Sequence, residues 1–300
     1  MDRETWLELR KPYITSSGAF TVLGLNPRKS VYTYWQELRG NLEADDEENL
    51  AIELGNELEP FVARRYSKET GRELRDLGRY TLLTCEEFPW AAATIDREIH
   101  GVDGRGPGVL EIKTTAGWAE GFWEDEPPEA ALVQLQHQLA VTGCQWGSIA
   151  GLIMGFRTKF KYQDIERNER FIGNLMEIEE AFLDSVKRDR RPDPDGSEST
   201  TKALKDLYPK DDYPDPINVP GIAEDWIHDI WDLKKAEEKN LDAQDEIKNR
   251  IRELMGNAAV GVTPNGLKIS YRTQTKPAHM MPAWEGRVLL LPRAKKETSK

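Results

Sequence analysis

The sequence predicts an α/β fold: a central mixed β-sheet flanked by helices, with a long helix and a β-hairpin appended at the C-terminal end. Three observations predict it. Residues 48–70 and 129–142 carry apolar side chains at helical spacing. Between them, residues 79–115 change period, and the short runs RYTLL, WAAATID and VLEIKTT are separated by turn residues, as strands are. Beyond residue 220, one long charged helix runs from Ile222 to Met255, and Asn265-Gly266 then marks a tight hairpin turn.

The elements follow in order. In ITSSGAFTVLGL, Ser16 or Ser17 is expected to cap a helix that buries Ala19, Val22 and Leu23. In residues 48–70, Leu50, Leu54, Leu58, Phe61, Val62 and Tyr66 share a face; Pro60 fits a first turn or a kink, and Gly71 a stop. The glycine-rich HGVDGRGPG predicts a hairpin between WAAATID and VLEIKTT. EAALVQLQHQLAVT returns to helical spacing and stops at Gly143, and GSIAGLIMGF reads as a buried strand. FKYQDIERNERF reads as a strand turning into a helix over 167–188, with Phe171, Leu175, Ile178, Phe182 and Val186 on one side. The expected division is a main domain over 1–195, an extended linker over 196–220, and an appendage over 221–300 with a disordered tail.

Composition narrows the function. Of 300 residues, 38% are hydrophobic and 31% charged, which fits a globular chain with a charged surface. No apolar run approaches the roughly 20 residues of a membrane span, and the first residues lack the apolar core of a signal peptide. The expected location is the cytoplasm, with no membrane partner. Cys85 and Cys144 are too few for a four-cysteine metal site and are expected to be ordinary buried residues. The net charge of -12 excludes coating of nucleic acid by bulk charge. It leaves room for a carboxylate cluster with a local basic patch.

Leu110-Glu111-Ile112-Lys113 has the pattern such a cluster needs. Alternate strand side chains share a face, so Glu111 and Lys113 point one way and Leu110 and Ile112 into the core. Phosphodiester hydrolysis requires an activated water and neutralised phosphate charge, which carboxylate-held divalent cations and a lysine provide. Asp96 ends the apolar run of the expected partner strand and can join Glu111. Asp103, in GVDGRG, competes for that place but fits turn chemistry better. Taken alone, Glu and Lys two apart also describe an exposed ion pair of small energetic consequence.

Several stretches, in order from Trp6 to Pro192, resemble the YqaJ-like viral recombinases and lambda-type phage alkaline exonucleases of the PD-(D/E)xK nuclease superfamily. They are WLELRKPYITSS, LGLNPRKS, LGNELEPFVARRYSKETG, TIDREIHG with VLEIKTT, and LVQLQHQLAVTG. Any one is weak; five in one order are specific. The resemblance implies a restriction-endonuclease-like core and a metal-dependent exonuclease that degrades linear double-stranded DNA from 5′ ends, leaving 3′ overhangs for single-strand annealing. It implies that Asp96, Glu111, Glu59 and the Ile112 carbonyl bind Mg2+ or Mn2+, two ions in all. By the same resemblance Lys113 positions the attacking water, Gln134 supports it, and Arg10, Thr15 and Ser17 hold the 5′-phosphate. Two positions depart from the family: Thr94-Ile95-Asp96-Arg97 replaces its usual Pro-Asp-Gly, and Ala131 stands where a tyrosine is common.

The family also implies DNA ends, a single-strand annealing protein and a ring-shaped trimer as partners. Two alternatives remain: a restriction-type or RecB-like endonuclease of the same fold, and a catalytically dead DNA-binding scaffold. Two cysteines exclude the iron–sulfur cluster of some RecB-like enzymes. The helix from Ile222 carries Trp226, Ile230, Leu233, Leu241, Ile247, Ile251 and Leu254, interrupted by Glu237 and Asn240. Its plainest reading is packing on the main domain, and its functional reading a partner contact in which Trp226 and Trp231 are anchors.

Overall fold

A computed structural model describes residues 1–43, 50–100, 104–116, 123, 126–211 and 216–273. The chain divides into two compact units, Met1–Leu207 and Tyr208–Lys300. The first unit holds helices α1 (Arg3–Arg10), α2 (Ser16–Val22), α3 (Val31–Leu38), α4 (Leu50–Thr70), α5 (Glu129–Thr142), α6 (Glu169–Lys187) and α7 (Glu198–Leu207). Its strands are β1 (Ile14–Thr15), β2 (Leu74–Arg75), β3 (Leu83–Thr84), β4 (Ala91–Ala93), β5 (Arg97–Ile99), β6 (Gly108–Ala116), β7 (Trp146–Met154) and β8 (Lys159–Glu166).

Five strands form the central sheet in the order β2-β5-β6-β7-β8. The β6–β7 pair is parallel and the other three are antiparallel, so the sheet is mixed. Its two faces bury different sets. Val62, Ala63 and Tyr66 of α4 pack with Leu110, Ile112, Ala150 and Leu152 on one face. Leu135 and Leu139 of α5 pack with Val109, Ile149 and Ile153 on the other. β7 is buried along nearly its whole length, because a strand covered on both faces must be apolar throughout. α5 is buried nearly all round, Gln136, His137 and Gln138 included, because β4, β6, β7, α2 and α6 surround it. Gly143, at φ 73°, ends it with its N–H on the Leu139 carbonyl.

The β6–β7–α5 contact is tight at one glycine. A Cβ on Gly147 would lie 2.7 Å from both the Leu135 Cδ1 and the Val109 backbone oxygen. The Val109 oxygen belongs to the neighbouring strand and cannot step aside. Gly147→Ala is therefore expected to destabilise the first unit by about 1–3 kcal/mol, the usual range for overpacking. A lowered urea midpoint at unchanged slope would show it, and an unshifted midpoint would contradict it.

Several expectations are corrected. β5, not WAAATID, is the hairpin partner of β6. β4 instead lies between β1 and β3 in a separate three-stranded sheet, and of RYTLL only Leu83 enters a strand. The cap of α2 is Thr15, one residue before the serines, and it makes no side-chain cap bond; Leu23 lies just past the helix end. The apolar stripe of α4 is buried only from Val62 on, while Leu50, Leu54 and Phe61 are exposed, and Pro60 lies inside the helix. In α6, Ile178 is exposed and Ile172, Met176 and Leu183 are buried in addition to the predicted side. Residues 198–207 are not an extended linker. They form α7, which buries Thr200 and Ala203, and the Thr200 hydroxyl donates to Ser30 Oγ at the start of α3. Cys85 and Cys144 are free and half-buried rather than buried.

The second unit contains α8 (Ile222–Met255) and the antiparallel hairpin of β9 (Val260–Val262) and β10 (Lys268–Ser270). Gly266, at φ 84°, provides the positive angle the turn requires. Met255 is the buried residue of α8, whereas Trp226, Leu233, Leu241, Ile247 and Leu254 are exposed. Among the described residues, no helix is long and apolar enough to cross a membrane. The predicted tail, Asp103 and part of the acidic stretch before α4 lie outside the described residues.

Candidate active site

Glu111 and Lys113 lie on the α5 face of β6, as strand alternation requires, with Leu110 and Ile112 on the α4 face. Glu111 is 2% exposed, yet both its carboxylate oxygens are engaged: Oε1 accepts from Lys113 Nζ at 2.6 Å, and Oε2 from Gln138 Nε2 at 2.7 Å. Lys113 also donates to Gln134 Oε1 at 2.8 Å. Gln134 and Gln138 are one helical turn apart on α5, so a single helix face supports both members of the strand pair. Gln138 additionally donates to the Thr94 carbonyl at 3.3 Å, tying α5 to the chain just before Asp96.

Asp96 is not on a strand. It sits in the bend between β4 and β5, and its Oδ2 accepts from the Ile112 backbone N–H at 2.6 Å. That bond brings it to the middle of β6, beside Glu111. Burial pushes the Asp96 carboxyl well above the usual carboxylate range, and the Glu111 and Glu59 charges add to the rise; Lys113 and the Ile112 N–H oppose it. Burial works against the Lys113 charge, but the Glu111 charge and hydrogen bond, with Asp96, outweigh it and raise the ammonium's pKa. Lys113 therefore stays protonated at neutral pH.

Glu59, on α4, lies in the same cleft but is held by arginines. Arg97 Nη1 donates to its Oε1 at 2.5 Å, and Arg79 approaches Oε2 at 3.9 Å. Arg97 also contacts Asp76 at 3.4 Å. Among the described residues, no three His, Cys, Asp or Glu side chains converge as a metal group. The Glu111 charge acts on Asp96, and both offer hard oxygens, so a divalent cation between them would relieve their repulsion.

The segment around Arg10 comes to the same place. Register explains why: Ile14 and Thr15 of β1 pair with Ala91 and Ala92 of β4, the strand that leads into Asp96. Arg10 Nη2 lies 3.4 Å from Thr15 Oγ1 and 3.5 Å from Ser17 Oγ, and the two hydroxyls are 3.2 Å apart. Arg10 also stacks over the Trp6 ring at 4.4 Å, and Trp6 Nε1 donates to Thr94 Oγ1 at 3.2 Å. Arg10, Thr15, Ser17, Glu59, Asp96 and Gln134 all line one cleft of about 320 Å³.

Sequence reasoning missed three buried residues around this site. Gln138 reads as a polar position on an exposed face but is fully buried; its i,i+4 relation to Gln134 was the available signal. Gln136, open to the same reading, is buried too and joins the Glu166 carbonyl to the Asn168 N–H. Arg97 follows Asp96 directly, and nothing local announces its pairing with Glu59, 38 residues away.

Residues 5–145 match the model of the YqaJ-like viral recombinase domain. The chain is 28% identical over 267 residues to the uncharacterized protein YqaJ of Bacillus subtilis strain 168, covering 88% of this chain and 82% of that one. Its fold is similar to the crystal structure of LHK-Exo, an alkaline exonuclease from Laribacter hongkongensis: TM-score 0.53, 26% identity, 62% of this chain and 93% of that chain. A second structure of that enzyme, in complex with dAMP, matches with TM-score 0.53 at 25% identity over the same shares of the two chains. By these likenesses, and by the order of its motifs from Trp6 onward, the chain is similar to the YqaJ-like viral recombinase family, whose domain model it matches over residues 5–145.

Proposed function

We propose that this protein is a metal-dependent exonuclease that hydrolyses linear double-stranded DNA from its 5′ ends and leaves 3′ single-stranded overhangs for single-strand annealing. One observation carries the reading: Asp96 and the Arg10–Thr15–Ser17 cluster line the same cleft. An acid that faces a second acid suits cation binding, and a guanidinium flanked by two hydroxyls suits a terminal phosphate. The dAMP complex of LHK-Exo adds support, since a deoxynucleoside monophosphate is the product expected of such a reaction.

Asp96, Glu111 and the Ile112 carbonyl would hold the cation, Mg2+ or Mn2+ by the hardness of the donors. When bound, the cation supplies charge neutralisation and activation of water at the scissile phosphate. The protein's own groups do the rest. Lys113 spends two of its three N–H donors on Glu111 and Gln134, which leaves one to orient the attacking water. As a permanent cation it offsets charge developing on the phosphate rather than acting as a base. Gln138 keeps the Glu111 carboxylate in one rotamer. Glu59 reaches a cation only by leaving Arg97, so a second ion requires that pair to open.

Linear and closed-circular duplexes, incubated with Mg2+ and with a chelator, test the reading. Expected is progressive loss of linear duplex only, dependent on the metal. Nicking of closed circles identifies an endonuclease, and binding without hydrolysis a scaffold. Arg10→Ala is expected to erase a preference of roughly 10- to 100-fold for 5′-phosphate over 5′-hydroxyl ends, because a hydrogen bond to a charged group contributes about 1.5–3 kcal/mol. Equal preference in variant and wild type would remove Arg10 from end recognition. The annealing partner is part of the same proposal, and co-purification from the native cell tests it.

A further inference from the structure

α8 is a 34-residue helix with its apolar side exposed. The apolar positions are not scattered. Trp226, Ile230, Leu233, Glu237, Asn240, Gln244, Ile247, Ile251 and Leu254 follow a 4-3 spacing without a break, which is a heptad seam. Both ends of the seam are apolar and its centre is polar. At that centre Gln244 Nε2 donates to Asn240 Oδ1 at 3.0 Å, so the polar groups already sit on one face.

We propose that α8 pairs with α8 of a second copy of this chain as an antiparallel coiled coil. Orientation follows from the polar centre. In a parallel pair, Glu237 would face Glu237 across the seam, two like charges in a desolvated place. In an antiparallel pair with Glu237 opposite Asn240, polar meets polar at the centre and apolar meets apolar toward the ends, with one Gln244–Leu233 layer on either side of the centre. Ile230 then meets Ile247, Ile251 meets Trp226, and Gln244 meets Leu233. Shifting by one heptad places Glu237 against Ile247 and strands its charge. The flanking positions agree with the same register. Asp229 of one helix falls beside Arg250 of the other, twice by symmetry, and Ala236 falls beside Ala243, where small residues permit close approach. Arg250 pairs with Glu246 within its own helix, leaving the guanidinium on the flank where Asp229 arrives.

Sedimentation of the full chain and thiol cross-linking test the pairing. The wild type is expected at twice the 34.3 kDa chain mass, or at a multiple built from such pairs, and Leu233→Glu with Ile247→Glu halves that mass. Retained far-UV circular dichroism and a cooperative melt show that the variant is folded. Register is read in chains whose Cys85 and Cys144 are replaced by Ser. Ile230→Cys and Ile247→Cys chains, mixed, cross-link to each other, and neither cross-links to itself. A monomeric wild type, an unchanged mass in the double variant, or self-cross-linking of Ile230→Cys would overturn the proposal.

Discussion

Lys113→Ala is expected to lower the rate of duplex hydrolysis by about 10²- to 10³-fold, the loss typical when one preorganised charge-stabilising donor is removed. The ammonium is fixed from two sides, by Glu111 at 2.6 Å and Gln134 at 2.8 Å, so its removal leaves both of those oxygens without their donor. Lys113→Arg restores charge but not fit, because the planar guanidinium cannot occupy the position of a compact ammonium between those two oxygens. Glu111→Ala is expected to lose at least as much, since it removes the Lys113 anchor together with a carboxylate proposed to hold the cation. Single-turnover hydrolysis at saturating Mg2+ measures both effects. Either variant degrading DNA at the wild-type rate would remove β6 from the active site.

The second large effect falls on stability. His137 and Glu179 are both fully buried, joined at 2.9 Å between Nδ1 and Oε1. His137 Nε2 lies 3.2 Å from the Ala92 carbonyl, which can only accept, so Nε2 carries a proton and a further proton is shared between Nδ1 and Oε1. The pair links α5, α6 and β4. Glu179→Ala leaves a cavity and an imidazole with one buried nitrogen unmatched. It is expected to cost about 3–5 kcal/mol, as when a buried pair loses one partner. Glu179→Gln keeps a polar group of the same shape facing Nδ1 and should cost distinctly less. Urea unfolding of the two variants separates them; equal losses would mean that a polar group of the same shape does not help and that the carboxyl itself carries the whole effect.

The amphipathic helices and the strand alternation of β6 were legible, because each is a local consequence of side-chain period. Glu111 and Lys113 could be read for that reason, Gln134 only by resemblance, and the structure brings all three together. What depends on distant pairing was not legible. β4 is a run of three alanines whose partners, β1 and β3, are set by tertiary register, so the sequence pattern joined it to β6 instead. Asp96 consequently reaches Glu111 through a backbone N–H and not through a shared strand pair. The buried ends of α4 and α6 depend on which residues a neighbour covers, and the exposed Leu50, Leu54 and Ile178 have the same spacing as the buried residues beside them. Arg10, Thr15 and Ser17 were found by resemblance alone. The β1–β4 register supplies the physical reason that they share a cleft with Asp96.

Release of label from a linear duplex carrying a 5′-terminal labelled phosphate on one strand and an internal label on the same strand tests the central claim most directly. With Mg2+, the terminal label should appear first as a mononucleotide and the internal label later, while an opposite strand whose 5′ end is blocked should remain intact; Glu111→Ala should release neither. Internal label appearing first, degradation starting from 3′ ends, or release by Glu111→Ala at the wild-type rate would contradict the account.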